Sequence, residues 1–285
     1  VAASVGKKAR IALRINPDVD PKTHPYISTG MKKSKFGIAA DRALEEYKMA
    51  SSLGHIDVVG VHAHIGSQLT EVTPFVDSLK KVVGLIETLK SQGINIRYLN
   101  IGGGLGITYS EEKPPLPIDL ANAISPLVKQ LGVTLVMEPG RVIVGNAGIL
   151  VTKALYLKQG EAKSFVIVDA AMNDLIRPTL YEAHHDIWPI HHQDSAQPMT
   201  CVDVVGPVCE SGDYLAQNRM MPLPQEGDLL AVMTAGAYGA VQSCTYNSRL
   251  LVPEVLVKGN DMAIIRPRET FQALIDRDHV PSWLA

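Results

Sequence analysis

Short apolar runs alternate with longer amphipathic segments through the first half of the chain. Each apolar run is a predicted strand, because it is only a few residues long and turn-forming residues follow it. The runs are RIALRI at 10–15, VVGVHAHI at 58–65, IRYLNI at 96–101 and TLVMEP at 134–139. The repeat of about 40 residues per strand and helix predicts a parallel α/β architecture.

The clearest amphipathic segment begins at Thr73 and Pro74, a capping residue followed by proline in the first turn. The apolar residues that share one helical face are Phe75, Leu79, Val82, Val83, Ile86 and Leu89. Gly93 is the predicted end, since glycine often terminates helices. The segment therefore predicts a helix with one face in the core.

Polar residues and glycines stand at the ends of the predicted strands. They are His64, Gly102–Gly104, Glu138 and Arg141. Because the carboxyl ends of successive parallel strands meet at one mouth of a TIM-type barrel, this pattern favours a barrel with a site at that mouth. An open doubly wound sheet is the structural alternative.

The second half consists of predicted strands separated by turns that contain Gly and Asp. The strands are 148–158, 164–170, 199–207, 228–236 and 262–267, and a short helix follows at 269–276. The pattern changes near Gly145–Gly148. We therefore expect a partial TIM-type (β/α) barrel at 1–146, followed by an all-β, Greek-key-like domain at 147–285.

Composition and charge narrow the class of function. The chain has 285 residues and a net charge of −2, from 27 basic and 29 acidic residues. Without a basic patch we expect neither a nucleic acid nor a membrane as partner, and no apolar run approaches the roughly 18 residues of a membrane span. The first ten residues lack the apolar core of a signal peptide. Three cysteines without CxxC spacing indicate free thiols in a reducing compartment, so we expect a cytoplasmic protein.

The first candidate chemistry lies in HAHIGSQ at 62–68. His62 and His64 are two residues apart on a predicted strand, so both are expected on the same face. Such a pair could bind zinc, as in barrel amidohydrolases, but a zinc site needs further ligands at later strand ends. Those ends carry glycines and Glu-Pro-Gly-Arg, so we expect no metal. A structural role is the alternative for His62, whereas His64 precedes a Gly-Ser turn whose N–H groups could bind an anion.

Two further motifs could hold a phosphate and a charged ring. The glycines of IGGGLGI at 101–107 permit positive φ and could bind a phosphate through their N–H groups, with a plain tight turn as the alternative. A dinucleotide fingerprint is not expected, because no acidic residue follows a strand about 20 positions later. Glu138 could accept a hydrogen bond from a cationic ring nitrogen, and Arg141 could bind a carboxylate or phosphate. An internal Glu–Arg pair is the alternative.

The second half adds candidates of its own. Arg177 and Tyr181 are four residues apart, so a helical turn would place them on one side. Cys209 and Glu210 stand in the turn-rich GPVCESGD at 206–213, and Tyr238 lies between small residues, where it could enter a site or the core. The remaining histidines could suggest a metal, but we expect them to be solvated: His184, His185, His191 and His192.

Seven motifs occur in an order and spacing that resemble one family. They are HAHIGSQ, IGGGLGI, EPGR, DAAMNDLIRPTLY, GPVCESGD, GAYG and YNSR. Together they resemble the diaminopimelate decarboxylases, which are barrel-type (fold type III) pyridoxal-phosphate decarboxylases related to ornithine and arginine decarboxylases. The resemblance covers essentially the whole chain. It implies conversion of meso-2,6-diaminopimelate to L-lysine and CO2, the last step of lysine biosynthesis, by a homodimer with shared active sites.

The resemblance also implies how the cofactor, pyridoxal 5'-phosphate, is held. His64 resembles the residue that stacks on the ring, and Glu138 resembles the carboxylate that keeps the ring nitrogen protonated. The residues implied for the phosphate side are Ser67, Gly102, Gly103, Gly104, Gly140, Arg141 and Tyr238. Of these, Arg141 and Tyr238 could also contact the substrate.

Substrate and interface roles follow from the same resemblance. Arg177 and Tyr181 resemble the pair that binds the distal carboxylate, and Glu210 resembles the group that meets the distal amine. Cys209 resembles the proton donor, since a thiol is mostly protonated at neutral pH. The remaining implied contact is an interface pair between Lys35 and Asp213 of two subunits.

One family residue, the Schiff-base lysine, matches no position in the sequence. Lys7 and Lys8 precede a predicted strand and stand in no such motif. We expect this lysine to lie in a segment outside the sequence. A decarboxylase of the ornithine or arginine type and a non-catalytic homologue that binds pyridoxal phosphate are the alternatives.

Overall fold

The computed structural model describes residues 1–20, 29, 35–191 and 197–284. The chain folds into two compact units, Val1–Gly145 and Asn146–Ala285. Each unit has its own apolar core, and each carries part of the candidate chemistry.

The first unit is built on a five-stranded sheet in the order β2-β1-β3-β4-β5, in which every neighbouring pair is parallel. Its strands are β1 (Ala9–Asn16), β2 (Ile38–Ala39), β3 (Ile56–His62), β4 (Tyr98–Asn100) and β5 (Thr134–Val136). The register pairs His62 with Asn100, and Asn100 with Val136. The loops that follow these three strands therefore begin at the same edge of the sheet. Because β3 ends at His62, His64 lies two residues beyond the strand rather than on it.

The α-helices that the described residues add to this sheet are α1 (Ala43–Ser52), α2 (Thr73–Ser91), α3 (Pro117–Leu131) and α4 (Arg141–Val144). The apolar face predicted for α2 is buried at Phe75, Leu79, Val82, Ile86 and Leu89, and Val83 is partly buried. Each such side chain contributes on the order of 2 kcal/mol of transfer free energy. The cap was misplaced, since Val72 is the N-cap residue and no side chain caps the helix.

The helix α3 occupies one of the segments between strands that were predicted to be helical, although its bounds were not predicted. Pro117 stands in the first turn, where proline lacks only an N–H that would have no helical partner. The Asp119 carboxylate accepts a hydrogen bond from the Leu116 N–H at 2.8 Å, which closes the start of the helix. Gly132, with φ of 62°, ends it.

The second unit contains a mixed six-stranded sheet in the order β10-β9-β7-β6-β11-β8 and a separate antiparallel pair, β12-β13. The strands of the sheet are β6 (Leu150–Gln159), β7 (Ser164–Val168), β8 (Ile187–Pro189), β9 (Met199–Val205), β10 (Tyr214–Pro222) and β11 (Leu229–Val232). The pair is β12 (Glu254–Lys258) and β13 (Asp261–Arg266). The described residues of this unit also form the short α-helices α5 (Arg177–Tyr181) and α6 (Phe271–Ile275).

Alternating valines and leucines fill the core of this second unit. Val166, Val168, Val202, Val204 and Leu230 are all at most 2% exposed. The predicted strands account for β6, β7, β9, β11 and β13, whereas β8, β10 and β12 were missed. Within the residues described, no helix is both long enough and apolar enough to cross a membrane.

Candidate active site

The edge of the first sheet is organised by Asn100, the last residue of β4. Its Nδ2 donates a hydrogen bond to Glu138 Oε1 at 2.7 Å, and its Oδ1 accepts one from the Gly102 N–H at 2.8 Å. The Glu138 N–H in turn donates to the Gly102 carbonyl at 2.8 Å. One amide side chain therefore fixes both the glycine loop and the carboxylate. Asn100 was not among the predicted site residues. The sequence signal that could have identified it is a polar residue at the end of an apolar strand.

His64 is held against the glycine loop. The Gly103 N–H donates to His64 Nδ1 at 3.2 Å. Gly102 has a φ of 68°, and a Cβ there would lie 2.5 Å from His64 Nδ1, so the ring can occupy this place only beside a glycine. Burial, reinforced by the nearby Arg14 charge, lowers the pKa of His64. The ring is therefore neutral near pH 7, which suits stacking on a flat group.

The glycine loop is a close-packed turn. A Cβ on Gly103 would overlap the Glu138 carbonyl oxygen, and one on Gly104, where φ is 108°, would overlap the Gly66 carbonyl oxygen. The N–H groups of Gly102 and Gly103 donate to Asn100 and His64, so neither is directed at a phosphate in this conformation. The predicted contact of these glycines with a phosphate stays a prediction. What the structure shows is the close approach of the backbone that the glycines permit.

A buried cation lies beside this turn. Arg141, the first residue of α4, is 7% exposed. Its Nη1 donates to Tyr109 Oη at 2.5 Å, and its Nη2 donates to Ser67 Oγ at 3.1 Å. Both acceptors are neutral hydroxyl groups, so these two bonds orient the guanidinium without opposing its positive charge, as binding of an anion such as phosphate requires. Tyr109 was not predicted, because nothing in its local sequence marks it.

Glu138 keeps an accessible carboxylate at the same edge. Its side chain is 53% exposed, and its Oε1 lies 3.8 Å from His62 Nε2. Burial lowers the pKa of His62, and the Glu138 charge opposes that shift. From the sequence, an internal Glu138–Arg141 pair was the alternative. The described hydrogen bonds instead join Glu138 to Asn100, and Arg141 to the hydroxyl groups of Tyr109 and Ser67.

In the second unit, α5 carries Arg177 at its first position, and Arg177 is 5% exposed. Its Nη1 lies 2.8 Å from His185 Nε2, and His185 Nδ1 lies 2.8 Å from the Met233 carbonyl oxygen. His185 is fully buried, so its predicted solvation was wrong: both ring nitrogens have protein partners. Tyr181 ends the same helix, and its hydroxyl accepts a bond from Gln242 at 3.4 Å.

Among the described residues, His184 and His191 belong to no metal-binding cluster. His184 lies 2.8 Å from Asp186 and 3.2 Å from Arg219, His191 is exposed, and His192 lies outside the described residues. In the part of the chain that the structure describes, no cluster of three or more His, Cys, Asp or Glu residues could hold a metal.

The loop at 206–213 is closed by Asp213. Its carboxylate is 4% exposed and accepts hydrogen bonds from the Val208 and Met172 N–H groups, each at 2.6 Å. Asp213 was predicted to lie on an interface opposite Lys35. The structure gives it an internal role as well, because it joins the cysteine loop to the segment that leads into α5. Lys35 is exposed, and its Nζ lies 5.2 Å from the Phe36 ring.

Cys209 and Glu210 are both exposed on this loop. The Tyr246 hydroxyl donates to Glu210 Oε2 at 2.7 Å. Arg249 donates from Nε to Asn173 Oδ1 at 2.7 Å and holds the segment before α5. Tyr246 and Arg249 belong to the YNSR motif. This motif contributed to the family resemblance, but no role was predicted for its residues.

Tyr238 takes a left-handed conformation with φ of 57° and is 41% exposed. Such a conformation is uncommon for an aromatic residue, and it is tolerated where the flanking residues are small. The side chain is thus accessible, as expected for a residue that enters a site.

Comparison with known proteins agrees with these features. A family model described as the pyridoxal binding domain of pyridoxal-dependent decarboxylases matches residues 2–145. A diaminopimelate decarboxylase of Pseudomonas aeruginosa is 53% identical over 274 residues, covering 96% of the chain and 65% of that relative. One from Aquifex aeolicus is 49% identical over 277 residues, covering 97% and 66%. The chain thus spans just under two thirds of the length of these relatives.

A solved structure shows the same likeness in three dimensions. The crystal structure of diaminopimelate decarboxylase from Helicobacter pylori complexed with L-lysine matches with a TM-score of 0.92 and 41% identity, covering 97% of the chain and 68% of that structure. The predicted fold class, part of a barrel followed by a β domain, is confirmed, and the matched pyridoxal-binding domain agrees with the predicted cofactor. The chain belongs to the diaminopimelate decarboxylase family of the pyridoxal-dependent decarboxylases.

Proposed function

We propose that the protein decarboxylates meso-2,6-diaminopimelate to L-lysine and CO2 with pyridoxal phosphate. The observation that carries this proposal is the buried guanidinium of Arg177, fixed by His185 in a unit that also holds Glu210. A substrate with an amino-acid centre at each end needs partners for a distal carboxylate and a distal ammonium. A diamine-forming decarboxylase needs an acidic partner alone.

The residues of the first unit fit the cofactor. The phosphate is held by Arg141 and Ser67, because a buried cation and a hydroxyl match a dianion. Gly104 and Gly140 let the backbone approach the phosphate closely. His64 stacks on the ring, and Glu138, held by Asn100, keeps a proton on the ring nitrogen. Gly102 and Gly103 leave room for this approach, and Tyr238 contacts the phosphate edge. Pyridoxal phosphate, when bound, supplies the electron sink that accepts the electron pair of the broken C–CO2 bond.

The residues of the second unit bind the substrate. Arg177 and Tyr181 bind the distal carboxylate, and Glu210 binds the distal ammonium. Arg141 and Tyr238 contact the reacting end. The crystallised relative from H. pylori is complexed with L-lysine, which is the product of this reaction. This complex supports a site that binds both a carboxylate and an ammonium group.

Cys209 donates a proton to the carbon that has lost CO2. Its thiol stands on an exposed loop, next to Glu210, where a substrate can reach it. Proton delivery to carbon requires a donor within hydrogen-bond reach of that atom.

We further propose a cytoplasmic homodimer whose active sites are shared. The exposed loop at 206–213 serves the neighbouring subunit, and Lys35 lies near Asp213 across the interface. Each carboxylate oxygen accepts more than one hydrogen bond, so the internal bonds of Asp213 leave room for this contact. Mixing a Cys209→Ala subunit with a Glu138→Ala subunit should restore part of the activity that each lacks alone. No recovery on mixing would contradict shared sites.

The proposed activity is tested by following lysine and CO2 release from meso-diaminopimelate with added pyridoxal phosphate. The holoenzyme should form both products in equal amounts, and Cys209→Ala should abolish product formation while cofactor binding is retained. Cys201→Ala, at an exposed thiol of β9, is the matched control and should keep full activity. Cofactor binding without CO2 release would instead support a non-catalytic homologue.

A further inference from the structure

A completely buried histidine contacts the arginine proposed to bind the distal carboxylate. His185 is 0% exposed, and each of its ring nitrogens lies 2.8 Å from a protein partner. On one side the partner is the Arg177 guanidinium, and on the other it is the Met233 carbonyl oxygen.

The chemistry of these partners fixes the state of the ring. A carbonyl oxygen can only accept a hydrogen bond, so His185 Nδ1 carries the hydrogen and donates to Met233. A guanidinium can only donate, so His185 Nε2 is the acceptor of a bond from Arg177 Nη1. The ring is therefore the neutral Nδ1–H tautomer. Burial lowers the pKa of His185 to about 4, so this state persists across the neutral range.

The backbone around His185 is tied to the sheet. Met233 directly follows β11, and its N–H donates to the Asp186 carbonyl oxygen at 2.8 Å. At the other end, the Ala183 N–H donates to the Arg177 carbonyl oxygen at 3.3 Å, which closes the chain after α5. A helix of a single turn cannot hold a long side chain in place by itself. The bond to His185 anchors the Arg177 side chain to a strand of the core.

The identity of the partner also matters for charge. A carboxylate in the place of His185 would neutralise Arg177 and compete with the carboxylate of a substrate. A neutral imidazole accepts one of the five donors of the guanidinium and leaves its positive charge intact. His185 thus supplies direction without reducing the attraction for an anion.

We propose that His185 is a positioning residue that orients Arg177 toward the distal carboxylate of the substrate and so sets the preference for substrates with that group. This inference rests on the proposed function. It adds a residue that does not itself contact the substrate.

Two substitutions at this position separate orientation from packing. His185→Asn keeps a donor toward the Met233 carbonyl but is too short to reach Arg177. His185→Gln places an amide oxygen near the position of Nε2. We expect His185→Asn to raise KM for meso-diaminopimelate about tenfold, the effect of one lost charge-assisted hydrogen bond, with a smaller change in kcat. His185→Gln should recover part of that loss.

Equilibrium binding of L-lysine gives a readout apart from turnover. The Kd of the holoenzyme for L-lysine, which carries a carboxylate, should rise about tenfold in His185→Asn. His184→Gln is the matched control, because His184 is half-exposed and bonds to Asp186 and Arg219, and it should leave KM and Kd unchanged. In an Arg177→Ala background, His185→Asn should have no additional effect on Kd.

The outcomes separate the two proposals. Unchanged KM and Kd in a folded His185→Asn holoenzyme would overturn the positioning role, as would additive effects with Arg177→Ala. A fall in kcat alone, without recovery in His185→Gln, would also overturn it. If the wild-type holoenzyme releases no CO2 from meso-diaminopimelate, the proposed function fails and the inference fails with it.

Discussion

The hydroxyl of Tyr246 donates a hydrogen bond to Glu210 Oε2 at 2.7 Å. This bond, followed by the Glu210 charge, raises the pKa of Tyr246, so the phenol stays protonated as a donor. It joins the YNSR turn, where Asn247 and Ser248 have φ of 53° and 55°, to the cysteine loop. Tyr246 therefore fixes the carboxylate proposed to bind the distal ammonium.

Tyr246→Phe should raise KM for meso-diaminopimelate several-fold and change kcat less, because a freely rotating Glu210 binds the ammonium less well. The loss is that of one hydrogen bond between exposed groups. Steady-state kinetics of the holoenzyme measures it. Tyr156→Phe, at an exposed tyrosine of β6, is the control and should behave as wild type. An unchanged KM in Tyr246→Phe would contradict the role.

Tyr109→Phe should weaken binding of pyridoxal phosphate about tenfold, because Arg141 loses a hydroxyl that fixes its guanidinium. Titration of the cofactor by its absorbance measures the affinity. Tyr98→Phe, at the partly exposed first residue of β4, provides the comparison and should bind normally. Equal affinities for all three proteins would show that Arg141 does not need Tyr109.

Asp213→Asn should destabilise the second unit by about 1–3 kcal/mol. The carboxylate accepts hydrogen bonds from two backbone N–H groups, and the NH2 group of an asparagine would face one of these donors without being able to accept its bond. Burial raises the pKa of Asp213, and the two N–H bonds oppose the shift, which indicates that the charged form depends on them. Urea unfolding measures the change. Asp261→Asn, at an exposed position of β13, should leave the free energy of unfolding unchanged. If both variants unfold alike, the carboxylate does not hold the loop.

Stability should depend on His185 in acid. Burial lowers its pKa from the ordinary value of 6.5 to about 4, with the charges of Arg177, His184 and Arg219 acting in the same direction and the Met233 bond opposing them. Between these two pKa values the unfolded chain binds a proton that the folded protein does not. The free energy of unfolding therefore falls as pH drops from about 6.5 to about 4, by on the order of 3 kcal/mol.

His185→Gln lacks this titration, so its stability should decline less steeply over that window than that of the wild type. Parallel pH profiles of the two proteins would contradict the buried neutral state. Comparing the two proteins also cancels the effects of Asp174 and Asp213, whose pKa values are raised by burial and act with the opposite sign.

Much of the fold followed from local pattern. The α2 face and most strands were predicted because their apolar periods match one helix face or one buried strand. The strands β8, β10 and β12 were missed, and β10 shows why, since it carries polar residues, including Gln217 and Asn218, within its run. Tertiary contacts decide these cases.

Glu138, Arg141 and Cys209 were named as candidate site residues because they stand in recognisable motifs, and their roles stay predictions. Asn100, Tyr109 and His185 were missed because their roles arise from partners 38, 32 and 8 residues away. His185 shows the limit clearly, since an His-His pair looks solvated in sequence, yet one ring is buried between Arg177 and Met233. Only the folded chain brings those partners together.

The central claim is that the active site selects a substrate with a distal carboxylate. Its most direct test is kcat/KM of the holoenzyme for meso-diaminopimelate measured beside L-ornithine and L-arginine. We expect release of L-lysine and CO2 from meso-diaminopimelate at least about a hundredfold more efficiently than CO2 from the other two, because they leave Arg177 without its carboxylate partner. Equal or greater efficiency with L-ornithine or L-arginine would contradict it.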